Sequence, residues 1–140
     1  MAKLIHQHYY KNPEEFIENL RALRLDRPTG IDLPGERKPL IKSPKDPTWS
    51  STTLPWMATG YEVLISPLQT CMVYNAVANG GRMMKPYLIS AIREYGKDME
   101  RFYPEVLVPA IGDSSLVAQL QECVREVESF FDQLVGALRA

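Results

Sequence analysis

Residues 60–86 read GYEVLISPLQTCMVYNAVANGGRMMKP, and the fold is decided by how this run is read. Ser66 is a side-chain acceptor of the kind that caps a helix, and Pro67 suits the first helical position, where an N–H would have no partner anyway. Leu68, Met72, Val73, Ala76 and Val77 then recur at helical spacing. Gly80 and Gly81 end the run, because glycine enters the left-handed region without strain. The stretch predicts a buried helix over 67–79 with Leu68, Met72 and Ala76 facing inward. Small Ala76, Ala78 and Gly80 leave room for a neighbouring backbone.

Toward the N-terminus, NPEEFIENLRALRL (12–25) is a second helix signal. Asn12 is a good N-cap, Pro13 fits the first turn, and Glu14 and Glu15 favour the positive end of the helix. Phe16, Ile17, Leu20, Leu23 and Leu25 form its apolar stripe. MAKLI (1–5) offers no capping residue. Residues 1–10 therefore read as the end of a helix already under way, and Met1 as a cut edge. Between the helix of 12–25 and that of 67–79 lie Pro28, Pro34, Pro39, Pro44, Pro47 and Pro55, with Gly30 and Gly35 among them. Regular structure does not run through so many prolines, so residues 26–56 read as one long loop. Ile31, Leu33, Leu40, Ile41, Trp49, Leu54 and Trp56 pin it to a surface.

Toward the C-terminus the period changes to two. Tyr87, Ile89 and Ala91 alternate with Leu88, Ser90 and Ile92; a turn comes next at Tyr95-Gly96-Lys97-Asp98, then a second extended run near Val106–Ile111. From Ser114 a helix runs to the end, continuous over Ser115–Leu138. Its apolar residues Val117, Leu120, Val124, Val127, Phe131, Leu134 and Leu138 alternate steps of three and four, a heptad-like seam. An ordinary helix packed on its own core, a homodimer seam and a tail without an evolved role all fit this pattern. The fold class expected is α+β: a mainly helical fragment with a two-stranded hairpin.

The totals exclude several functions. A length of 140 residues predicts one domain with an ordinary core. A net charge of −1 gives no basic face for nucleic acid and no polybasic patch for anionic lipid. The first residues lack the apolar core of a secretory signal, and no apolar run is long enough to span a membrane. Cys71 and Cys123 sit in apolar helical patterns and read as buried free thiols, with a disulfide or a catalytic thiol as alternatives. No Cys-x-x-Cys or His-x-x-x-His spacing suggests zinc.

Several separate words of the sequence agree with one family. PWMATGYEVLISPLQ, NGGRMMKP, RPTGIDLPGE and DSSLVAQLQECVREV (113–127) occur in the order and spacing of a class B penicillin-binding protein transpeptidase domain, which this chain resembles. The wording around PWMATGYE is most similar to division-type enzymes of Bacteroidota-like bacteria. The resemblance covers residues 1 to about 127. It implies a parent that cross-links peptidoglycan stem peptides through a serine acyl-enzyme, is inhibited by β-lactams, works with divisome proteins and faces the periplasm from the inner membrane. That chemistry rests on Ser-x-x-Lys, Ser-x-Asn and Lys-Thr-Gly. No serine here, Ser43, Ser66, Ser90 and Ser129 included, has a lysine three positions on or an asparagine two positions on, and no lysine opens Lys-Thr-Gly. MAKLI resembles the residues directly after the Ser-x-Asn segment of that family. Residues 1–127 are thus expected to be a partial transpeptidase domain between the second and third motifs, and 128–140 an atypical C-terminal helical tail.

No catalytic, cofactor-binding or metal-binding residue is therefore expected, and the chain alone should be inactive. Other candidates are weak. His6 and His8 form a His-x-His pair near a chain end. Glu14, Glu15 and Glu18 read as a solvated helix face. Ser50, Ser51, Thr52 and Thr53 carry hydroxyls without a base nearby in sequence. Trp49, Trp56, Tyr61 and Tyr74 read as core anchors, with a groove lining as the alternative. A self-associating helical module without catalysis is the competing reading of the whole.

Overall fold

The computed structural model describes the backbone of residues 1–138 and the side chains of residues 1–129. The described residues form five helices and three two-stranded antiparallel pairs. Helices α1 (Ala2–Tyr9) and α2 (Pro13–Ala22) come first, and α3 (Thr53–Met57) lies after the proline-rich segment. Then come α4 (Pro67–Ala78) and, after the strands, α5 (Ser114–Leu138).

The core is built on α4. Ser66 accepts a hydrogen bond from the Gln69 N–H (3.1 Å), and the Gln69 side chain accepts one from the Ser66 N–H (2.8 Å). This reciprocal capping box satisfies two donors left over at the helix start. At the other end Gly80 (φ +63°) and Gly81 (φ +88°) turn the chain, and the Gly81 N–H reaches back to the Ala76 carbonyl at 2.8 Å. Met72 and Ala76 are buried with Met83, and Val73, Leu107, Val108 and Ile111 close around them. Leu68, expected to face inward, is half-buried, and Gln69 takes the buried position instead.

The strands differ from the expected pair. Residues 87–90 are irregular. The chain is extended before and after them, in β3 (Met83–Met84) and β4 (Ala91–Glu94). Strand β4 pairs with β5 (Lys97–Arg101) as a hairpin. Tyr95 (φ +47°) and Gly96 (φ +77°) form its two-residue turn, both left-handed as the twist of the strands requires. The second expected strand, β6 (Val106–Val108), pairs with β3 and seals the α4 core. A period of two sees alternation but not partner choice, and Lys85-Pro86 ends β3 before the alternating run begins.

The long loop also holds more structure than its prolines suggest. Leu40–Ile41 (β1) pairs with Val63–Leu64 (β2), with Leu40 opposite Leu64 and Ile41 opposite Val63. Pro55 sits inside α3, in the first turn, where its missing N–H breaks no helical bond. Leu54 is buried as expected, whereas Trp56 is exposed.

Helix α5 begins at Asp113, whose carboxylate accepts from the Leu116 N–H at 2.6 Å. Val117 is buried against Gly81, and Gln121 Nε2 donates to the Val77 carbonyl at 2.8 Å. Beyond that anchorage Leu120, Val124 and Val127 are exposed. Phe131, Leu134 and Leu138 of the expected seam lie outside the residues whose side chains are described.

Candidate functional site

Among the described residues an apolar groove of about 890 Å³ opens between α2, α4 and α5. Ala22 lines it from α2 and Leu23 from the residue after that helix, Val73, Tyr74 and Val77 from α4, and Leu120 and Val124 from α5. Asn19 and the Tyr74 hydroxyl are among its few polar groups. Apart from Asn19, Tyr74 and the Cys123 thiol the lining is apolar, so the groove is suited to burying an apolar surface.

The residues singled out in the sequence do not converge. The His6 ring lies against Tyr10 (4.9 Å) and the His8 ring against Tyr9 (4.6 Å), so the two imidazoles serve different neighbours. His6 Nδ1 is sealed from solvent without a hydrogen-bond partner. Among the described residues, no group of three His, Cys, Asp or Glu side chains is placed to hold a metal ion. Glu14 pairs with Arg21 at 3.2 Å; Glu15 and Glu18 face solvent.

The hydroxyl cluster bonds to itself. Thr53 Oγ1 accepts from the Ser50 N–H (3.0 Å), and Ser50 Oγ lies 2.9 Å from Thr52 Oγ1. A recess of about 70 Å³ brings Ser50 and Ser51 near His6, Tyr10 and Trp49, but no hydrogen bond joins a serine to the imidazole among the described residues. Tyr61, Trp56 and Tyr74 are exposed and only Trp49 is half-buried, so of the four aromatics Tyr74 alone lines the groove.

Both cysteines correct the expectation of burial: Cys71 and Cys123 are exposed free thiols. Cys71 lines a shallow recess with Leu68, Met72 and Asn75 of α4, and Cys123 lines the groove between α2, α4 and α5.

Three polar residues that sequence reasoning passed over organise the site's surroundings. Gln69 Nε2 donates to the carbonyls of Leu25 (3.2 Å) and Arg27 (3.0 Å), tying the end of α2 to the start of α4. Ser-x-x-Gln before an apolar run was its available signal. Glu36 accepts from the N–H groups of Thr29 (2.7 Å) and Gly30 (3.4 Å). Against the upward push of burial, these bonds and the Thr29 hydroxyl hold its carboxyl below the ordinary value. Glu62 pairs with Lys42 at 3.1 Å, and that ammonium, with the Thr53 hydroxyl next, lowers its pKa. No local motif marks Glu36 or Glu62, because each partner lies across a loop.

The comparisons with known proteins agree with this architecture. The penicillin binding protein transpeptidase domain matches residues 8–129. Penicillin-binding protein PbpB of Mycobacterium tuberculosis is 34% identical over 79 residues, 56% of this chain and 11% of that protein. PbpB of Mycolicibacterium smegmatis is 34% identical over 94 residues, 66% of this chain and 14% of that protein. This chain therefore spans a small part of the length of these relatives. The crystal structure of penicillin binding protein 3 from M. tuberculosis superposes with a TM-score of 0.62 at 27% identity, over 76% of this chain and 23% of that one. The same protein has been solved in complex with aztreonam and with ampicillin. This chain belongs to the penicillin-binding protein transpeptidase domain family.

Proposed function

We propose that this chain is scaffold from a peptidoglycan D,D-transpeptidase, lying between the second and third catalytic motifs, and that it carries no catalytic residue of its own. The match over residues 8–129, with none of Ser-x-x-Lys, Ser-x-Asn or Lys-Thr-Gly inside it, carries this reading. In the parent enzyme a serine attacks the stem peptide, an ester forms, and the amine of a second strand resolves it while backbone donors hold the oxyanion. Residues 1–127 supply part of the frame for that site, and 128–140 form a tail outside the family pattern. The groove between α2, α4 and α5 is where the rest of the domain packs. Its apolar lining supports this, since an exposed apolar surface continuous over several elements is of the kind that meets another surface.

On the same reading the parent acts in cell division, meets β-lactams and divisome partners, and works on the periplasmic side of the inner membrane. Among the described residues no helix is long and apolar enough to cross a membrane. Incubation of the purified chain with a fluorescent penicillin, then denaturation and mass spectrometry, tests the proposal. We expect no stoichiometric adduct, because acylation needs a serine with a base in hydrogen-bond reach. A stoichiometric adduct on one serine would overturn it; trace label spread over lysines would not, since strained lactams acylate amines unaided.

A second reading is favoured by the exposed row Leu116, Leu120, Val124 and Val127 on α5. In this reading two copies pair through that helix and the chain is a non-catalytic module. Sedimentation decides it: a concentration-dependent dimer supports pairing, and a monomer at high concentration with α5 intact rejects it.

A further inference from the structure

Strand pairing between β1 and β2 stops after two residues, yet its register continues by one more pair. With Leu40 opposite Leu64 and Ile41 opposite Val63, Lys42 falls opposite Glu62. The two side chains meet at 3.1 Å and are mostly covered, at 19% and 20% exposure. Glu62 has a φ of +59°, a conformation that costs a non-glycine residue and persists only where surrounding contacts over-determine it. Its Oε2 is sealed from solvent without a hydrogen bond in range. The Thr53 side chain, fully buried and accepting from the Ser50 N–H, is the second group after Lys42 that acts on the same carboxyl. The two ends of the segment 42–53 are thus gathered around one carboxylate. Between them the segment folds on itself: Asp46 Oδ1 accepts from the Thr48 N–H (2.9 Å) and hydroxyl (2.7 Å). It also places Trp49 beside His6, Tyr10 and Pro13. Compact surface loops with adjoining ends and their own internal packing commonly open and close as units.

We infer that Glu62 is a charged staple that closes the loop 42–53 onto the body, its strained backbone held in place by the Lys42 pair, and that removing either charge releases this loop without unfolding the core. The groups facing the carboxylate are Lys42, which stabilises its charge, Thr53 on α3, and Asp46, a like charge that opposes it. This inference does not depend on the transpeptidase reading.

Strain relief and stapling predict opposite results for Glu62→Gly. Glycine takes φ +59° freely, so a residue that is merely strained would leave the loop as firm or firmer once replaced. A staple, once removed, lets the loop open. Limited trypsin digestion of the 140-residue chain reads this as the rate of cutting after Lys45, compared with the cut after Arg82 beside the core strand β3. Proteolysis of an opening segment tracks the population of the open form. In Glu62→Gly, and separately in Lys42→Met, we expect cutting after Lys45 to rise by about tenfold, the size of a lost charge-assisted hydrogen bond, with the Arg82 rate unchanged. Unchanged cutting after Lys45 in either variant, or a rise only in step with Arg82, would overturn the inference.

Discussion

The α4 core and the outer stretch of α5 are both helical and apolar, and they end differently. Around α4 each demand is met within the chain: a capping box opens the helix, glycines close it, and Met72, Ala76 and Met83 are covered by β6. Along α5 Val117 and Gln121 anchor the first turns to the Gly81 turn and to α4, while Leu120, Val124 and Val127 line an open groove. Apolar periodicity says that a face wants to be covered, but not whether the covering atoms lie in the same chain. The first region is locally complete. The second has the surface of an element that packs against something else.

The largest effect should come from breaking the complete region. Met72→Asp places an unpaired charge in the core and should cost more than about 4 kcal/mol, unfolding or aggregating the chain. An unchanged thermal midpoint would show that α4 is not the core. Gln69→Ala removes half of the capping box and leaves the Leu25 and Arg27 carbonyls without their donor. We expect a loss of about 2 kcal/mol by urea denaturation. Gly81→Ala adds a Cβ at φ +88° that would lie 3.1 Å from Val117 Cγ2. A loss of about 1–2 kcal/mol should result, felt where α5 meets α4.

Glu36 sharpens the comparison through pH. Its folded pKa is lowered, so the loop clasp it forms contributes in full above the unfolded value of about 4.3 and fades as pH falls through the folded one. The melting temperatures of the wild type and Glu36→Gln should differ at neutral pH and converge in acid. A gap that persists at low pH would mean the carboxylate charge is not what matters. The smallest effect on stability belongs to the open region: Val124→Ser should change the midpoint by less than about 0.5 kcal/mol, since the side chain is exposed. If α5 pairs with a second copy, the same change weakens the dimer seen by sedimentation.

Legibility in the sequence depended on how local each signal is. The Ser66-Pro67 start and Gly80-Gly81 stop act within a few residues, and the helix they bound was legible almost to its ends. The helix from Ser114 was equally plain, because its period is long and unbroken. Pairing of β3 with β6 was not legible: more than twenty residues separate them, and alternation alone cannot choose between a hairpin and a return to the core. The thiols misled for the same reason. Cys71 and Cys123 lie within apolar runs, but burial depends on how closely a face is covered, and both thiols stay exposed. Of the polar framework, Gln69 had a local signature, whereas Glu36 and Glu62 became visible only once the loop was folded. The family was legible from several short words in fixed order.

The claim that one region is complete and the other uncovered is tested most directly by native-state hydrogen exchange on the dilute chain, resolved by element. Amides of α4, β3 and β6 should exchange together and slowest, as one cooperative unit, while those of α5 after Gln121 exchange at least about tenfold faster. Protection of that part of α5 equal to that of α4, in a sample shown to be monomeric, would contradict the account, because the groove would then be closed by the chain itself.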